Sequence, residues 1–224
     1  PWGINLSLFT GREAGKEKKL LPTSEYLNFD EEIENPFIIL SLRNHYPVYN
    51  LETLIKAFLA AAIDIPNICL IVGGDGALRG ELEDLVDNSS ISCGRKRIKF
   101  TGCLKRNEVK QAMLCSDLYV STSLTDGSSV TLLEAMACNM PVLVSDIPGN
   151  REWVQSGVNG FLFPAKDTDA LKENIFQLSS LKEEELVRLG SAGRRKVEEK
   201  GNWETNRSKI IMSYQHVLAL KGSY

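Results

Sequence analysis

Short apolar runs alternate with amphipathic stretches along this 224-residue chain from residue 36 onward. Several runs are too apolar to leave one face in water, which is typical of central strands in a parallel sheet. Between them, apolar residues recur at three- and four-residue steps, as on the buried face of a helix. The alternation predicts an α/β domain with a Rossmann-like, doubly wound parallel sheet. The predicted strands are 37–42, 68–72, 98–101, 118–121, 142–145 and 161–163, and the predicted helices are 51–62, 77–87, 106–115, 129–138, 150–156, 168–178, 182–200 and 203–220.

The first 35 residues lack this alternation. Residues 11–35 are polar, show no sustained period and end in an acidic run, so we predict that 1–35 form a linker or mobile segment. Residues 36–200 are predicted to form a single α/β domain of the Rossmann-like, nucleotide-binding kind. Residues 201–224 are predicted to form a C-terminal helix that crosses to a partner domain.

The composition excludes several classes of protein. A content of 43% hydrophobic and 25% charged residues is that of a globular domain with a sizeable core. The net charge of -3 disfavours a nucleic-acid partner, and we interpret the basic residues at 94–97 as a solvated loop. Five cysteines without CxxC spacing predict reduced, buried thiols of a cytosolic protein. No apolar run approaches the roughly 18 residues of a membrane span, so membrane association is expected to be peripheral at most.

Two carboxylates, Asp126 and Glu134, mark the candidate site. A helix is predicted to open between them, with Ser128 or Ser129 as its N-cap. A helix N-terminus offers unpaired amides and a partial positive charge, which suit a phosphate. Glu134 lies roughly 12 Å along the chain from Asp126 at about 1.5 Å per residue. That separation exceeds the roughly 10 Å limit for a glycosidase acid/base pair, so we expect the carboxylates to hold two ends of one long ligand.

Each carboxylate also has a structural interpretation. A carboxylate inside the apolar helix is costly to bury without donors; ribose hydroxyls could supply two, and an arginine from a neighbouring element is the alternative for Glu134. Asp126 precedes a glycine, and Asp-Gly is a common turn pair. The two histidines, His45 and His216, lack the spacing of a catalytic triad or a metal site, so we assign them no chemistry.

Loops after the other predicted strands converge on the same edge of a parallel sheet. Gly74 belongs to a glycine-rich turn that could approach a ligand closely or serve only as a tight turn. The turn is not a dinucleotide fingerprint. Arg43 follows the first strand, where it could bind a diphosphate with two hydrogen bonds or be an ordinary surface arginine.

Two further loops carry candidates. Thr101, Gly102 and Cys103 could hold a base by backbone hydrogen bonds, or could form a plain strand-to-helix turn. Asp146 is interpreted as a helix cap, and Glu152 as a support for a ligand.

Taken in order, these motifs resemble the C-terminal, donor-binding half of GT-B fold retaining glycosyltransferases of family 4, also called group 1. The resemblance covers nearly the whole chain and implies an N-terminal acceptor domain that is absent from it. The matching stretches are 1–9, which resembles the interdomain linker, Arg43 with 54–58, then 71–76, 100–102, 134–137, 141–142 and 157–162.

The resemblance implies a role for each candidate. Asp126 and the amides after Gly127 would face the transferred sugar, Thr131 and the Val130 amide the diphosphate, and Glu134 the ribose. The loop 101–103 would meet the base. The implied catalytic residues are Asp126 and Arg43; the implied donor-binding residues are Gly74, Thr101, Gly102, Cys103, Gly127, Ser128, Ser129, Val130, Thr131 and Glu134, with Glu152 as possible support.

The sequence departs from the family pattern at two positions. Asp126 stands where the family has a glutamate, so its side chain is shorter by one methylene. Tyr49 stands where the family has a phosphate-binding lysine. The charge of the diphosphate would then rest on Arg43 and the helix N-terminus, or on a lysine elsewhere.

The resemblance implies transfer with retention from a nucleoside-diphosphate sugar to an acceptor hydroxyl, without metal or cofactor. Polysaccharide or glycolipid assembly in the cytoplasm, at the inner face of the membrane, is the implied setting. This chain alone is expected to bind donor but to catalyse little. The alternatives are a non-catalytic nucleotide-sugar-binding or regulatory domain, and a GT-B fold epimerase, which would need a histidine and further acids around the donor.

Overall fold

The computed structural model describes residues 3–9, 29, 33–89 and 94–221. At its centre is a six-stranded sheet in which every neighbouring pair is parallel, in the order β3-β2-β1-β4-β5-β6. The direction of winding reverses between β1 and β4, which are neighbours in the sheet. The strands are β1 (Phe37–Leu42), β2 (Ile68–Gly73), β3 (Ile98–Gly102), β4 (Leu118–Ser121), β5 (Val142–Ser145) and β6 (Phe161–Phe163).

The predicted α/β class and doubly wound parallel sheet are confirmed, and all six predicted strands are present. Most predicted helices differ from the observed ones by a residue or two at their ends. The helices are α1 (Leu51–Asp64), α2 (Arg79–Asp87), α3 (Gly94–Arg97), α4 (Arg106–Cys115), α5 (Val130–Ala137), α6 (Pro148–Arg151), α7 (Thr168–Ser179), α8 (Glu183–Lys200) and α9 (Trp203–Lys221).

Two local predictions are wrong. The helix predicted at 150–156 is only α6, because the following chain turns to bury Trp153 and is fixed by Asn159, whose amide donates to the Trp153 carbonyl at 2.8 Å. The basic stretch at 94–97 is a helical turn and not a loop. Its Arg97 donates to the carbonyls of Ala62 and Ile65 at the end of α1, at 3.1 and 3.3 Å.

The core lies on both faces of the sheet, as expected for parallel strands without a wet face. Ile39 and the buried faces of α1, α2 and α7 form one apolar cluster, whereas Leu40, α4, α5 and the C-terminal half of α8 form the other. Three cysteines, Cys69, Cys115 and Cys138, are buried as predicted and form no disulfide within the described residues. Cys103 is exposed because it lies in the loop after β3, and Cys93 is outside the described residues.

The start of the chain pairs with the junction between the last two helices. The amide of Ile4 donates to the Gly201 carbonyl at 2.8 Å, and the amide of Trp203 donates to Ile4 at 2.9 Å. Residues 1–2, 10–28 and 30–32 of the predicted linker lie outside the described residues. The described part of α9 is largely exposed, and its crossing to another domain stays a prediction.

Candidate functional site

Arg43 is the centre of a polar cluster at the point where the sheet reverses its winding. It follows β1 directly and is only 9% exposed, so its interpretation as a surface arginine is wrong. Its Nε donates to the Ser121 hydroxyl of β4 at 3.0 Å, and its Nη2 donates to the hydroxyl of Ser129. Its Nη1 lies 3.0 Å from Oδ2 of Asp126. The guanidinium is therefore bound on three sides by the end of β4 and by the segment that connects β4 to α5.

Asp126 forms an ion pair with Arg43 that is not an aligned hydrogen bond, since Oδ2 has no hydrogen-bond partner among the described residues. The backbone of the loop that contains Asp126 packs closely against Gly149. A Cβ at Gly149 would overlap the carbonyl oxygens of Asp126 and Gly127. Only glycine allows the loop after β5 to approach so closely.

The N-terminus of α5 lies beside Arg43. Ser129 is the N-cap, because its hydroxyl accepts the Leu132 amide at 3.3 Å. Ser128 instead accepts the indole N–H of Trp153, also at 3.3 Å. Among the described residues no group accepts the amides of Val130 or Thr131, as is usual in the first turn of a helix. These amides are available to an anion.

The side chain of Thr131 already has partners within the protein. Its hydroxyl lies 2.8 Å from the phenol oxygen of Tyr119, a fully buried residue of β4, and 3.4 Å from the Leu42 carbonyl. Thr131 thereby ties α5 to β1 and β4. Its backbone amide, in contrast, has no acceptor among the described residues.

Buried serines connect the ends of β4 and β5 beneath the cluster. Ser121 lies 3.1 Å from the Ser123 hydroxyl, and Ser145 donates to the Ser123 carbonyl at 2.5 Å. Asn150 in turn donates to the Ser145 carbonyl at 2.8 Å. All four side chains are fully buried, so the network fixes the loops around Arg43. Sequence reasoning missed it, and the only available signal was a serine at the end of each of two apolar strands.

Glu134 lies on α5 and is partly buried among apolar neighbours. No arginine or other described residue forms an ion pair or hydrogen bond with its carboxylate, so the alternative of an arginine partner finds no support there. Burial raises the pKa of Glu134 to about 7, against a smaller opposing effect of Arg106. The carboxylate thus has no protein partner within the described residues, although its oxygens are not among the fully buried polar atoms.

The loops after β1, β2 and β3 are in contact. Gly74, with φ +120°, packs on the Arg43 carbonyl, where a side chain would overlap, and its amide donates to the Gly102 carbonyl at 2.8 Å. Thr101 also donates to that carbonyl, at 3.1 Å. Cys103 is exposed beside them. The structure therefore gives Gly74 a packing role, and places the predicted base loop two strands from Arg43.

The loop after β5 contributes less than predicted. Asp146 does not cap α6, whose N-cap is Ile147 without a side-chain bond. Asp146 instead accepts two hydrogen bonds from Arg151, at 2.5 and 2.9 Å, which hold the pKa of its carboxyl below the usual range. Glu152 is exposed and lines a cleft beside α8.

Two aromatic side chains, those of Tyr49 and His45, lie in the segment that follows Arg43. The Tyr49 ring lies against the guanidinium, with the Arg43 Cζ 5.5 Å from the ring centroid, a cation–π distance. His45 is fully buried against Phe100, and burial lowers the pKa of its imidazole. Neither ring nitrogen of His45 has a hydrogen-bond partner within the described residues, and the expectation that His45 has no chemical role stays a prediction.

Within the described ranges, no group of three or more histidine, cysteine, aspartate or glutamate side chains is placed to hold a metal ion. None of the described helices is long and apolar enough to cross a bilayer. The expectation that no metal takes part stays a prediction.

The sheet order and its reversal between β1 and β4 define a Rossmann-like domain. In such domains ligands bind at the carboxyl ends of the strands, where the buried Arg43 lies beside the N-terminus of α5. The sequence profile of the family described as Glycosyl transferases group 1 matches residues 24–196, and the chain belongs to that family. It is 30% identical over 185 residues to N-acetyl-alpha-D-glucosaminyl L-malate synthase of Bacillus anthracis, covering 82% of this chain and 45% of that protein. The chain thus spans about half the length of this curated relative.

Solved structures show the same fold. Anabaena HepE in complex with UDP-glucose has a TM-score of 0.80 at 21% identity, covering 96% of this chain and 56% of that one. The C-terminal domain of LpcC, a glycosyl transferase group 1 family protein from Francisella tularensis, has a TM-score of 0.74 at 20% identity, covering 89% of this chain and 99% of that one. The fold is that of the C-terminal half of a GT-B glycosyltransferase.

Proposed function

We propose that this chain is the donor-binding domain of a retaining glycosyltransferase and holds a nucleoside-diphosphate sugar in the crevice between β1 and β4. The observation that carries the proposal is the partly buried Glu134 carboxylate, which has no protein partner within the described residues and lies on the helix whose N-cap, Ser129, binds the cationic Arg43. One ligand would bring ribose hydroxyls to Glu134 and place a diphosphate beside the positive charge of Arg43 and the Val130 and Thr131 amides.

In this proposal, the nucleoside diphosphate is the leaving group. Arg43 and the first-turn amides of α5 stabilise its developing charge, and Asp126 faces the transferred sugar. The acceptor hydroxyl attacks from the face that the leaving group departs, so the configuration is retained, and no metal or cofactor is required. The acceptor is held by an N-terminal domain outside this chain, which alone turns over little donor.

The proposed setting is polysaccharide or glycolipid assembly in the cytoplasm, at the inner face of the membrane. A non-catalytic nucleotide-sugar-binding domain is the second candidate, and the departures at Asp126 and Tyr49 favour it. An epimerase is less well supported, because the buried His45 is enclosed by protein. Turnover by the whole protein, with the product anomer read by NMR, separates these candidates.

Calorimetric titration of the 224-residue chain with UDP-, GDP- and ADP-sugars tests donor binding. We expect one nucleotide class to bind saturably, and Glu134→Gln to weaken it by about tenfold because a charged acceptor is lost. Glu173→Gln, an exposed carboxylate on α7, is the matched control and should change nothing. No binding in the whole panel would refute a donor domain, and binding unaffected by Glu134→Gln would refute the ribose assignment.

A further inference from the structure

The guanidinium of Arg43 has no nitrogen left unpaired. Each of its three nitrogens faces a partner within the protein, namely Ser121, Ser129 or Asp126, and the group is almost completely buried. An anion that approaches Arg43 must therefore displace one of these partners or share a nitrogen with it.

Asp126 is the partner that can leave. Ser121 belongs to a strand and Ser129 caps a helix, and both are buried. The Asp126 side chain is 22% exposed and Oδ2 lacks an aligned hydrogen bond. A Cβ added at Gly127 would meet no atom within 4 Å, so there is open space beside it. Asp126 is also the only charged partner of Arg43 in the described part of the chain.

We propose that Asp126 occupies the anion subsite of Arg43 in the free chain and competes with the diphosphate for it. This rests on the proposed function. When the sugar is present, the displaced carboxylate has sugar hydroxyls to accept. When the sugar has been transferred, the carboxylate loses those donors and returns to Arg43. Asp126 therefore lowers the affinity for the nucleoside diphosphate product relative to the donor.

The test is calorimetry of Asp126→Asn with inorganic pyrophosphate and with UDP, at fixed pH and ionic strength. Loss of one negative charge beside the subsite should tighten both ligands by about tenfold. Asp146→Asn removes a carboxylate from the same edge of the sheet, where it pairs with Arg151 and not with Arg43, and should leave both affinities unchanged. Asp126→Ser repeats the charge removal without an amide, and far-UV circular dichroism checks that each variant folds.

Equal or weaker binding of pyrophosphate and UDP to the folded Asp126 variants would overturn the proposal, and would mean that Asp126 positions Arg43. If Asp146→Asn tightened both ligands as much, the gain in affinity would come from the net charge of the chain, and the proposal would be overturned as well. Pyrophosphate carries neither ribose nor sugar. A gain for pyrophosphate by a chain that binds no nucleotide sugar would thus uphold the competition while refuting the proposed function.

Discussion

The charged groups at the N-terminus and in the middle of α5 have opposite surroundings. At the N-terminal end, Arg43 is bound by Asp126 and two serine hydroxyls and is backed by a buried polar network. In the middle of the helix, Glu134 has no ion pair or hydrogen bond within the described residues, and burial raises the pKa of its carboxyl to about 7.

The N-terminal end of α5, around Arg43, is therefore preorganised by contacts within the protein, whereas Glu134 lacks a partner within the described residues. Groups that are fixed before a ligand arrives lose little entropy on binding, which suits the end where charge would develop in a transition state. A carboxylate that lacks donors gains the most from a ligand that brings them. We therefore expect the Arg43 end to determine stability and the Glu134 end to determine the response of binding to pH.

The largest effect is expected from removal of the buried cation. Arg43→Met leaves Asp126 without its counter-ion and two buried hydroxyls without their donor. We expect the free energy of unfolding to fall by about 3 kcal/mol, measured by urea denaturation, and donor affinity to fall by about 100-fold.

Arg79 is the control for this substitution. It begins α2 after the neighbouring strand, is 34% exposed, and pairs with Asp75 at 3.9 Å and Glu83 at 3.0 Å. Arg79→Met should cost less than about 1 kcal/mol, since exposed pairs contribute little. Equal losses for the two arginines would remove the contrast between a preorganised site and the ordinary surface.

The pH dependence of donor binding tests the other end. The pKa of Glu134 is about 7 in the free chain, against an ordinary value of 4.5. Ribose hydroxyls donate to the ionised form, so the bound carboxyl has the lower pKa and binding releases a proton below pH 7. Donor affinity should therefore fall as the pH falls, by about tenfold between pH 8 and pH 6. The diphosphate diester of a nucleotide sugar does not titrate in this range.

Glu134→Gln separates this carboxylate from other titrating groups, because its donor affinity should be nearly constant between pH 6 and pH 8. Stability should respond with the opposite sign. A carboxyl whose pKa is raised on folding stabilises the chain most below pH 4.5, and this contribution is lost as the pH rises through 7. A wild-type affinity that does not change with pH would show that Glu134 does not meet the ligand as a carboxylate.

Local patterns predicted the elements of this fold, and the errors arise where contacts outside those patterns decide the structure. The strands are continuous apolar runs, and the start of α5 follows from Ser129 before a periodic apolar segment. The failures involve partners distant in sequence or short competing bonds. Arg97 reaches the end of α1, 35 and 32 residues away, and Asp146 binds Arg151 five residues on in place of capping a helix.

The sequence predicted which residues belong to the candidate site better than it predicted the contacts that they make. Arg43 and Ser129 are in contact, as expected from loops at the carboxyl ends of adjacent strands, and Glu134 follows on the helix that Ser129 caps. Their internal partners could not be predicted, because Ser121 lies 78 residues from Arg43 and its hydroxyl has no periodic signature. The roles of Gly127, Cys103 and Glu152 toward a ligand stay predictions.

The smallest effect is expected at Tyr49, where the family has a lysine. Tyr49→Leu removes the ring from Arg43 and should lower the free energy of unfolding by about 0.5–1 kcal/mol, whereas Tyr49→Phe keeps the ring and should match the wild type. Tyr49→Lys places a second cation near Arg43, so it should destabilise the free chain and tighten pyrophosphate binding, since like charges repel until an anion lies between them. Calorimetry and urea denaturation of the three variants measure both quantities. If Tyr49→Lys left both unchanged, the ring would lie outside the electrostatic reach of the anion subsite, and the preorganised end would consist of Arg43, Asp126 and the serines alone.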